Sequence, residues 1–184
     1  MVKTTVNNDL NEELMQKQEE YRKYIEEHRK FVKQAFENLL KSNILQLDAG
    51  DLEQLRIEIE NHDMSKYDEE EFEPYRKHFY PCSFENANDT KAEFDKAKEH
   101  HFLANNHHPQ HPDRKIKVDR ISVVHNILDW IAMSYKFGDY VWDFYEQSKI
   151  GEQFSSKEKE MVENIILLIK KKKDIFYPEK SIEI

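Results

Sequence analysis

Residues 52–66 read LEQLRIEIENHDMSK, and this stretch sets the expectations for the fold and for the site. Four of its side chains follow one another at intervals of three, four and three residues. They are Leu52, Leu55, Ile59 and His62. A helix with this spacing carries all of them on one face. The stretch therefore predicts an amphipathic helix at about 51–61 whose buried face ends in a histidine, directly before Asp63.

The same helical periodicity continues along most of the chain, and the composition agrees with it. Only 3 glycines and 5 prolines occur among 184 residues, too few for the many tight turns of a sheet-rich fold. We therefore expect an all-α protein. The predicted helices cover about 11–41, 51–61, 69–79, 88–104, 119–137 and 155–173, and 139–147 is either helical or strand-like. Asp68 and Glu71 have the spacing of an acidic capping box at the start of the third helix.

Length, charge and cysteine content limit the class of protein. The chain length favours one domain over 1–184. A net charge of -9 argues against a protein that coats nucleic acid non-specifically. Cys82 is the only cysteine, so no internal disulfide can form. The amino terminus lacks the apolar core of a signal peptide, and the apolar run at 165–169 is too short to span a bilayer. We expect a cytoplasmic protein with no membrane contact.

Several histidines fall on apolar helix faces. His28 lies at helical spacing with Ile25, Val32 and Phe36, as His62 does in its own helix. His101 and His108 continue the helix face of Phe94 and Ala97. His125 and Asp129 are four residues apart, so they are neighbours on one helix surface. These polar side chains are therefore predicted to point inward.

An inward imidazole or carboxylate is costly unless it is hydrogen-bonded, paired or bound to a metal. A core histidine bonded to a carbonyl group is one explanation for each residue alone. Histidine nitrogen together with carboxylate oxygen also forms a ligand set that suits a divalent first-row ion. A metal site explains several inward polar residues at once.

The order of His28, then His62 and Asp63, then Asp129 resembles the H…HD…D signature of the HD-domain metal-dependent phosphohydrolase superfamily. The segment HDMSK resembles the superfamily's HD-x-[GA]-K segment, with Ser65 in place of the small residue. A group of uncharacterised phage and bacterial HD-like proteins is similar over about 21–137. The stretches that carry this likeness are EFEPYRKHFY at 71–80, FDKAKEHHFLANNHHPQH at 94–111 and LDWIAMSY at 128–135.

The resemblance implies an HD-domain-like helical bundle, with helices at 138–173 completing its core. It implies that four residues ligate one divalent ion, which would be Mn, Fe, Co, Ni, Zn or Mg. These are His28, His62, Asp63 and Asp129. It also implies hydrolysis of a phosphate ester, commonly in a nucleotide.

The residue types suggest how such a site could work. A divalent ion activates water and polarises a phosphoryl oxygen, and a nearby ammonium offsets the phosphate charge. Asp63 and Lys66 are the candidate catalytic residues, although Lys66 could equally be a solvated turn residue. Glu69 or Glu70 is a weaker candidate for a general base.

A second group of histidines is a candidate for a second metal or for substrate binding. It consists of His101, His107 and His108. A surface loop is the simpler interpretation of His107 and also of His111. The lysines at 170–173 are expected to be a solvated helix end, where they complement the helix dipole.

Three functions from different classes fit these residues. The first is a metal-dependent phosphohydrolase whose substrate is a nucleotide or another small phosphate ester. The alternatives are a non-catalytic metal-centred protein that sequesters nucleotides or acts as an inhibitor, and a di-iron oxygenase-like redox enzyme. A homodimer is compatible with all three.

Overall fold

The computed structural model describes the backbone of residues 2–178 and the side chains of 9–86, 90–114 and 116–178. The α-helices are α1 (Val2–Ser42), α2 (Ala49–Glu60), α3 (Glu69–Phe79), α4 (Ala87–Ala104), α5 (Pro112–Ile116), α6 (Arg120–Phe137), α7 (Val141–Ser148), α8 (Ser156–Lys171) and α9 (Lys173–Phe176). Short 3-10 turns lie at Met64–Tyr67 and Ile150–Gln153. No strand occurs between residues 2 and 178, so the all-α prediction is confirmed.

Local capping explains several helix boundaries. The Asp48 carboxylate accepts a hydrogen bond from the Asp51 amide and begins α2, and Asp119 does the same for Ser122 at the start of α6. Helix α6 ends at Gly138, whose φ of 76° lies in the left-handed region that glycine adopts without steric cost. These caps fix the ends of the two helices that carry most of the candidate site.

Two local predictions were wrong. Asp68 precedes α3 but its side chain makes no capping hydrogen bond, and Glu71 is buried instead of folding back on the cap. The capping box fails because His100 and the buried His101 bind the Glu71 carboxylate. The last predicted helix also ends earlier, at Lys171, and a separate short helix follows.

The chain divides into two compact units. The first comprises the described part of Met1–Glu27 together with Asp63–Asn105. In it α3 packs against α4 and against the turn at Met64–Tyr67. Its apolar core consists of Tyr21, Ile25, Phe72, Tyr75 and Ala97. Beside this core the buried Arg76 guanidinium donates hydrogen bonds to the carboxylates of Glu73 and Glu85.

The second unit comprises His28–His62 and the described part of Asn106–Ile184. Helix α6 is its centre, because it is buried at most positions and packs against α2, α7 and α8. Apolar side chains of α1, α2, α7 and α8 complete the core around it, among them Val32, Leu55, Trp142 and Val162. Helices that follow residue 137 therefore contribute to the core of this unit.

Two further expectations concern membrane-spanning segments and the lysines at 170–173. None of the helices in the described part of the chain has both the length and the apolar character that a membrane crossing requires. The lysines at 170–173 are exposed at the end of α8 and the beginning of α9, as expected for a solvated helix end.

Candidate metal centre

The second unit gathers polar side chains from α1, α2 and α6 at one place in its interior. His28 is on the buried face of α1, and His62 follows the end of α2. His125 and Asp129 lie one turn apart on α6. Each of the three histidines is no more than 2% exposed. The helical spacing of the sequence correctly predicted that His28 and His62 point inward.

His28, His62 and Asp129 approach one another closely. The Nε2 atoms of His28 and His62 are 3.0 Å apart. The Oδ1 atom of Asp129 is 3.0 Å from the Nε2 of His28 and 3.8 Å from the Nε2 of His62. Two ligand atoms bound to one ion at about 2.1 Å lie about 3.0 Å apart at a right angle and about 3.4 Å apart at the tetrahedral angle. The two 3.0 Å separations fit ligands at a right angle, and the 3.8 Å separation corresponds to a wider angle of about 130°, so the three atoms can face one ion.

The opposite edge of the His62 ring contacts a second histidine. The Nδ1 of His62 is 2.9 Å from the Nε2 of His125, and the Nδ1 of His125 is 3.2 Å from the Oε2 of Glu58. Burial raises the pKa of Glu58, but the contact with His125 and hydrogen bonds from Gln54 and Asn106 outweigh this effect, so the pKa is lowered overall. Glu58 is therefore held as a carboxylate.

A fourth imidazole belongs to the same cluster. His107 is buried, and its ring centroid lies 4.7 Å from that of His62 and 4.3 Å from that of His125. The interpretation of His107 as a surface-loop residue was wrong, because the chain beyond α4 turns inward here. His62, His107 and His125 form a second group whose ligand atoms all lie within 4.8 Å of one another, so this group could also hold an ion.

Asp63 and Lys66 form a buried ion pair in the first unit. The Nζ of Lys66 lies 2.6 Å from the Oδ2 of Asp63, and the two side chains are only 13% and 3% exposed. Burial lowers the pKa of Lys66, but the nearby carboxylate of Asp63 more than compensates and raises it overall. Lys66 is therefore a permanent cation and not a solvated turn residue. Asp63 itself has a left-handed φ of 55°.

Glu71 is the buried carboxylate of the acidic run in the first unit. Its Oε1 lies 2.8 Å from the Nδ1 of His100, and its Oε2 lies 2.9 Å from the Nδ1 of His101. Burial raises the pKa of Glu71, but these hydrogen bonds outweigh it and lower the pKa overall. Glu69 and Glu70 are exposed, and a general-base role for either of them stays a prediction.

The predicted ligands are thus distributed over both units. His28, His62 and Asp129 come together in the second unit, where His107 and His108 also have their rings 4.2 Å apart. In the first unit, the Nε2 of His101 lies 3.4 Å from the Oδ1 of Asp63. The role of Asp63 as a fourth ligand stays a prediction, as does a shared role for His101, His107 and His108.

Sequence reasoning missed Glu58 and Glu71 and did not include His125 among the ligands. The signals were present, because Glu58 precedes His62 by one helical turn and His125 precedes Asp129 by one turn. Those spacings place the residues on one helix surface, but they do not show which neighbouring helix that surface meets.

The fold and the site define an all-α protein with a buried histidine and carboxylate cluster of the kind that can hold a divalent ion. The chain belongs to a family of unknown function, DUF5662, whose profile matches residues 17–168. No curated protein and no solved structure matches the chain.

Proposed function

We propose that this protein is a metal-dependent phosphohydrolase that acts on a nucleotide or another small phosphate ester. The observation that carries the proposal is the convergence of His28, His62 and Asp129 in the second unit, with 3.0 to 3.8 Å between their facing atoms. The order of these residues in the sequence also resembles the signature of HD-domain phosphohydrolases, and that likeness supports the choice of phosphate chemistry.

His28, His62 and Asp129 would hold the ion, and Asp63 is the fourth ligand that the sequence pattern suggests. The bound ion would lower the pKa of a water molecule and polarise a phosphoryl oxygen. His28, His62 and Asp129 alone leave one net positive charge on a divalent ion, which favours an anionic substrate, and a second carboxylate from Asp63 would neutralise that charge. The ligand types fit Mn, Fe, Co, Ni or Zn more closely than Mg, which prefers oxygen ligands.

Lys66 is the proposed contact for the substrate phosphate. Its raised pKa keeps it cationic at any physiological pH, and the ion pair with Asp63 limits the conformations of its side chain. Lys66→Met removes the charge but keeps most of the apolar stem. We expect turnover to fall about ten- to a thousandfold while the metal content stays at the parent level. Parent turnover in Lys66→Met would exclude this role.

The first experiment is metal analysis of the purified protein, followed by a phosphate-release screen over nucleotides and simple phosphate esters with added Mn²⁺, Co²⁺, Ni²⁺ or Mg²⁺. We expect bound metal and metal-dependent release of phosphate. His62→Ala should lose both, because it removes a ligand. His111→Ala is the matched control, since His111 caps α5 through its Nδ1 and lies outside the cluster. A parent protein that binds no metal would exclude the proposal.

The same measurements separate the two alternative functions. A protein that binds metal and nucleotide but releases no phosphate after long incubation would be a metal-centred binding protein. The second histidine group of His62, His107 and His125 is the observation that favours a redox enzyme, because more than one ion could be held. Iron-dependent oxygen uptake would identify that function.

A further inference from the structure

We infer that His125 and Glu58 are positioning residues that fix the tautomer of His62 and so present its Nε2 lone pair to the ion. The inference rests on the proposed function for the identity of the ligand atoms. It assigns roles to two residues outside the predicted ligand set, through a chain of hydrogen bonds that lies wholly within the second unit.

The direction of the chain follows from what each group can donate. The Oε2 of a carboxylate can only accept, so the Nδ1 of His125, at 3.2 Å from Glu58, carries the proton. A neutral imidazole has one N–H, so the Nε2 of His125 must accept. The Nδ1 of His62 lies 2.9 Å from it and must therefore donate. One carboxylate thus determines the protonation of two imidazoles.

The last step leaves the Nε2 of His62 with its lone pair on the side where His28 and Asp129 lie. In the metal-free protein the Nε2 of His28 then carries a proton, which it donates to the Oδ1 of Asp129 at 3.0 Å. The Nε2 of His62, 3.0 Å from the same nitrogen, can only accept. The proton of His28 must move from its Nε2 to its Nδ1 before both Nε2 atoms can ligate an ion.

Glu58 is itself held in place, as a positioning group must be. Its other oxygen, Oε1, accepts hydrogen bonds from the Nε2 of Gln54 at 3.0 Å and from the Nδ2 of Asn106 at 3.4 Å. The Oε2 atom is thereby directed at His125. Partners behind metal-binding histidines commonly change metal affinity by about 10- to 100-fold when they are removed.

The hydrogen bonds that join Glu58, His125 and His62 also favour one of the two possible metal positions in the second unit. An ion in the group of His62, His107 and His125 that took the Nδ1 of His62 or the Nε2 of His125 would displace the 2.9 Å hydrogen bond between these two atoms. The hydrogen-bonded chain favours the position between His28, His62 and Asp129.

The test combines histidine tautomers with metal affinity. Two-bond ¹H–¹⁵N spectra of the metal-free full chain, recorded above neutral pH, should show protons on the Nδ1 of His62 and His125 and on the Nε2 of His28. In Glu58→Leu the tautomer of His125 should become mixed, whereas Glu58→Gln should preserve it because the amide oxygen still accepts. A proton on the Nε2 of His62 in the parent would overturn the inference.

Titration with Co²⁺, followed by its visible absorption, gives the second measurement. We expect Glu58→Leu to weaken binding about 10- to 100-fold and Glu58→Gln only a few-fold. Glu53→Leu is the matched control on the same helix, because Glu53 is exposed, and it should bind like the parent. Parent affinity in Glu58→Leu would overturn the inference. A parent that binds no Co²⁺ would instead overturn the proposed function, while the tautomer spectra would still decide the role of Glu58 and His125.

Discussion

Asp63 in the first unit and Asp129 in the second are both largely buried carboxylates with histidine neighbours, but their positive partners differ. Asp63 contacts the ammonium of Lys66 at 2.6 Å. Asp129 contacts the imidazoles of His28 and His62 at 3.0 and 3.8 Å. A lysine with a raised pKa stays charged, whereas a neutral imidazole offers a lone pair that can bind a metal ion.

The two carboxylates therefore have different kinds of partner. The partner of Asp63 has a fixed charge, whereas the partners of Asp129 can bind a metal ion. In the first unit the ion pair is complete without a ligand, and Arg76 with Glu73 and Glu85 repeats the arrangement. In the second unit the imidazole nitrogens can exchange a proton for a metal ion, because neutral histidine is a good ligand. The first unit therefore contains a permanent cation, and the second unit contains the group that could bind a metal ion.

The largest expected effect is on the free energy of unfolding of the metal-free protein. It is measured by replacing Asp63 in the first unit and, separately, Asp129 in the second unit with asparagine. Asp63→Asn leaves Lys66 buried without its counter-charge, which should cost about 3 to 5 kcal/mol in the free energy of unfolding. Asparagine also tolerates the left-handed backbone at this position. Asp129→Asn should cost only about 1 kcal/mol, because a neutral imidazole can donate to an amide oxygen. Urea unfolding with chelator present measures both.

A double substitution tests whether the loss of stability comes from the unpaired charge of Lys66. Asp63→Asn combined with Lys66→Met removes both charges and should recover most of the stability that Asp63→Asn loses. Equal losses for Asp63→Asn and Asp129→Asn would show that the two carboxylates are not held differently.

The next effect is the stability that metal adds to the folded protein. Metal at about 100 times its dissociation constant should add about 2.7 kcal/mol, which corresponds to a rise of about 5 to 10 °C in Tm for a chain of this size. Asp129→Asn should remove most of this rise, and His111→Ala should keep it. Asp63→Ala should also remove it if Asp63 is the predicted fourth ligand. Scanning calorimetry with metal and with chelator tests all three, and a full rise in Asp129→Asn would contradict the metal assignment.

The smallest effect concerns the charge network of Arg76. The hydrogen bonds from Arg76 hold the pKa of Glu85 at about 2, below its ordinary value of 4.5. A lowered folded-state pKa means that this stabilisation is complete above pH 4.5 and is lost as the pH falls towards 2. The contribution should be about 2 kcal/mol, as for a hydrogen bond to a charged group.

Glu85→Gln tests this pH dependence. The variant should be less stable than the parent near neutral pH, and the difference should shrink between pH 4.5 and 2. Urea unfolding at several pH values measures it, with Glu53→Gln as an exposed control. A constant difference across this range would show that Arg76 does not stabilise the charged form of Glu85.

Much of this molecule follows from the sequence. Helical spacing alone gave the helices and the inward direction of His28 and His62, because one helix fixes which of its side chains share a face. The order of His28, His62, Asp63 and Asp129 pointed to metal chemistry before any distance was known. The end of the last helix and the capping box were predicted wrongly, and the capping box fails because tertiary partners of Glu71 outweigh its local hydrogen bonds.

Only the tertiary structure decided which polar side chains meet. In the folded protein His107 is buried and His125 contacts both His62 and Glu58. Lys66 forms an ion pair with Asp63. Periodicity reports the face of a single helix, whereas these contacts depend on how that face packs against other helices. The sequence placed His28 and His62 on buried helix faces, and the packing determined whether a carboxylate would meet a fixed ammonium or an imidazole that can bind a metal ion.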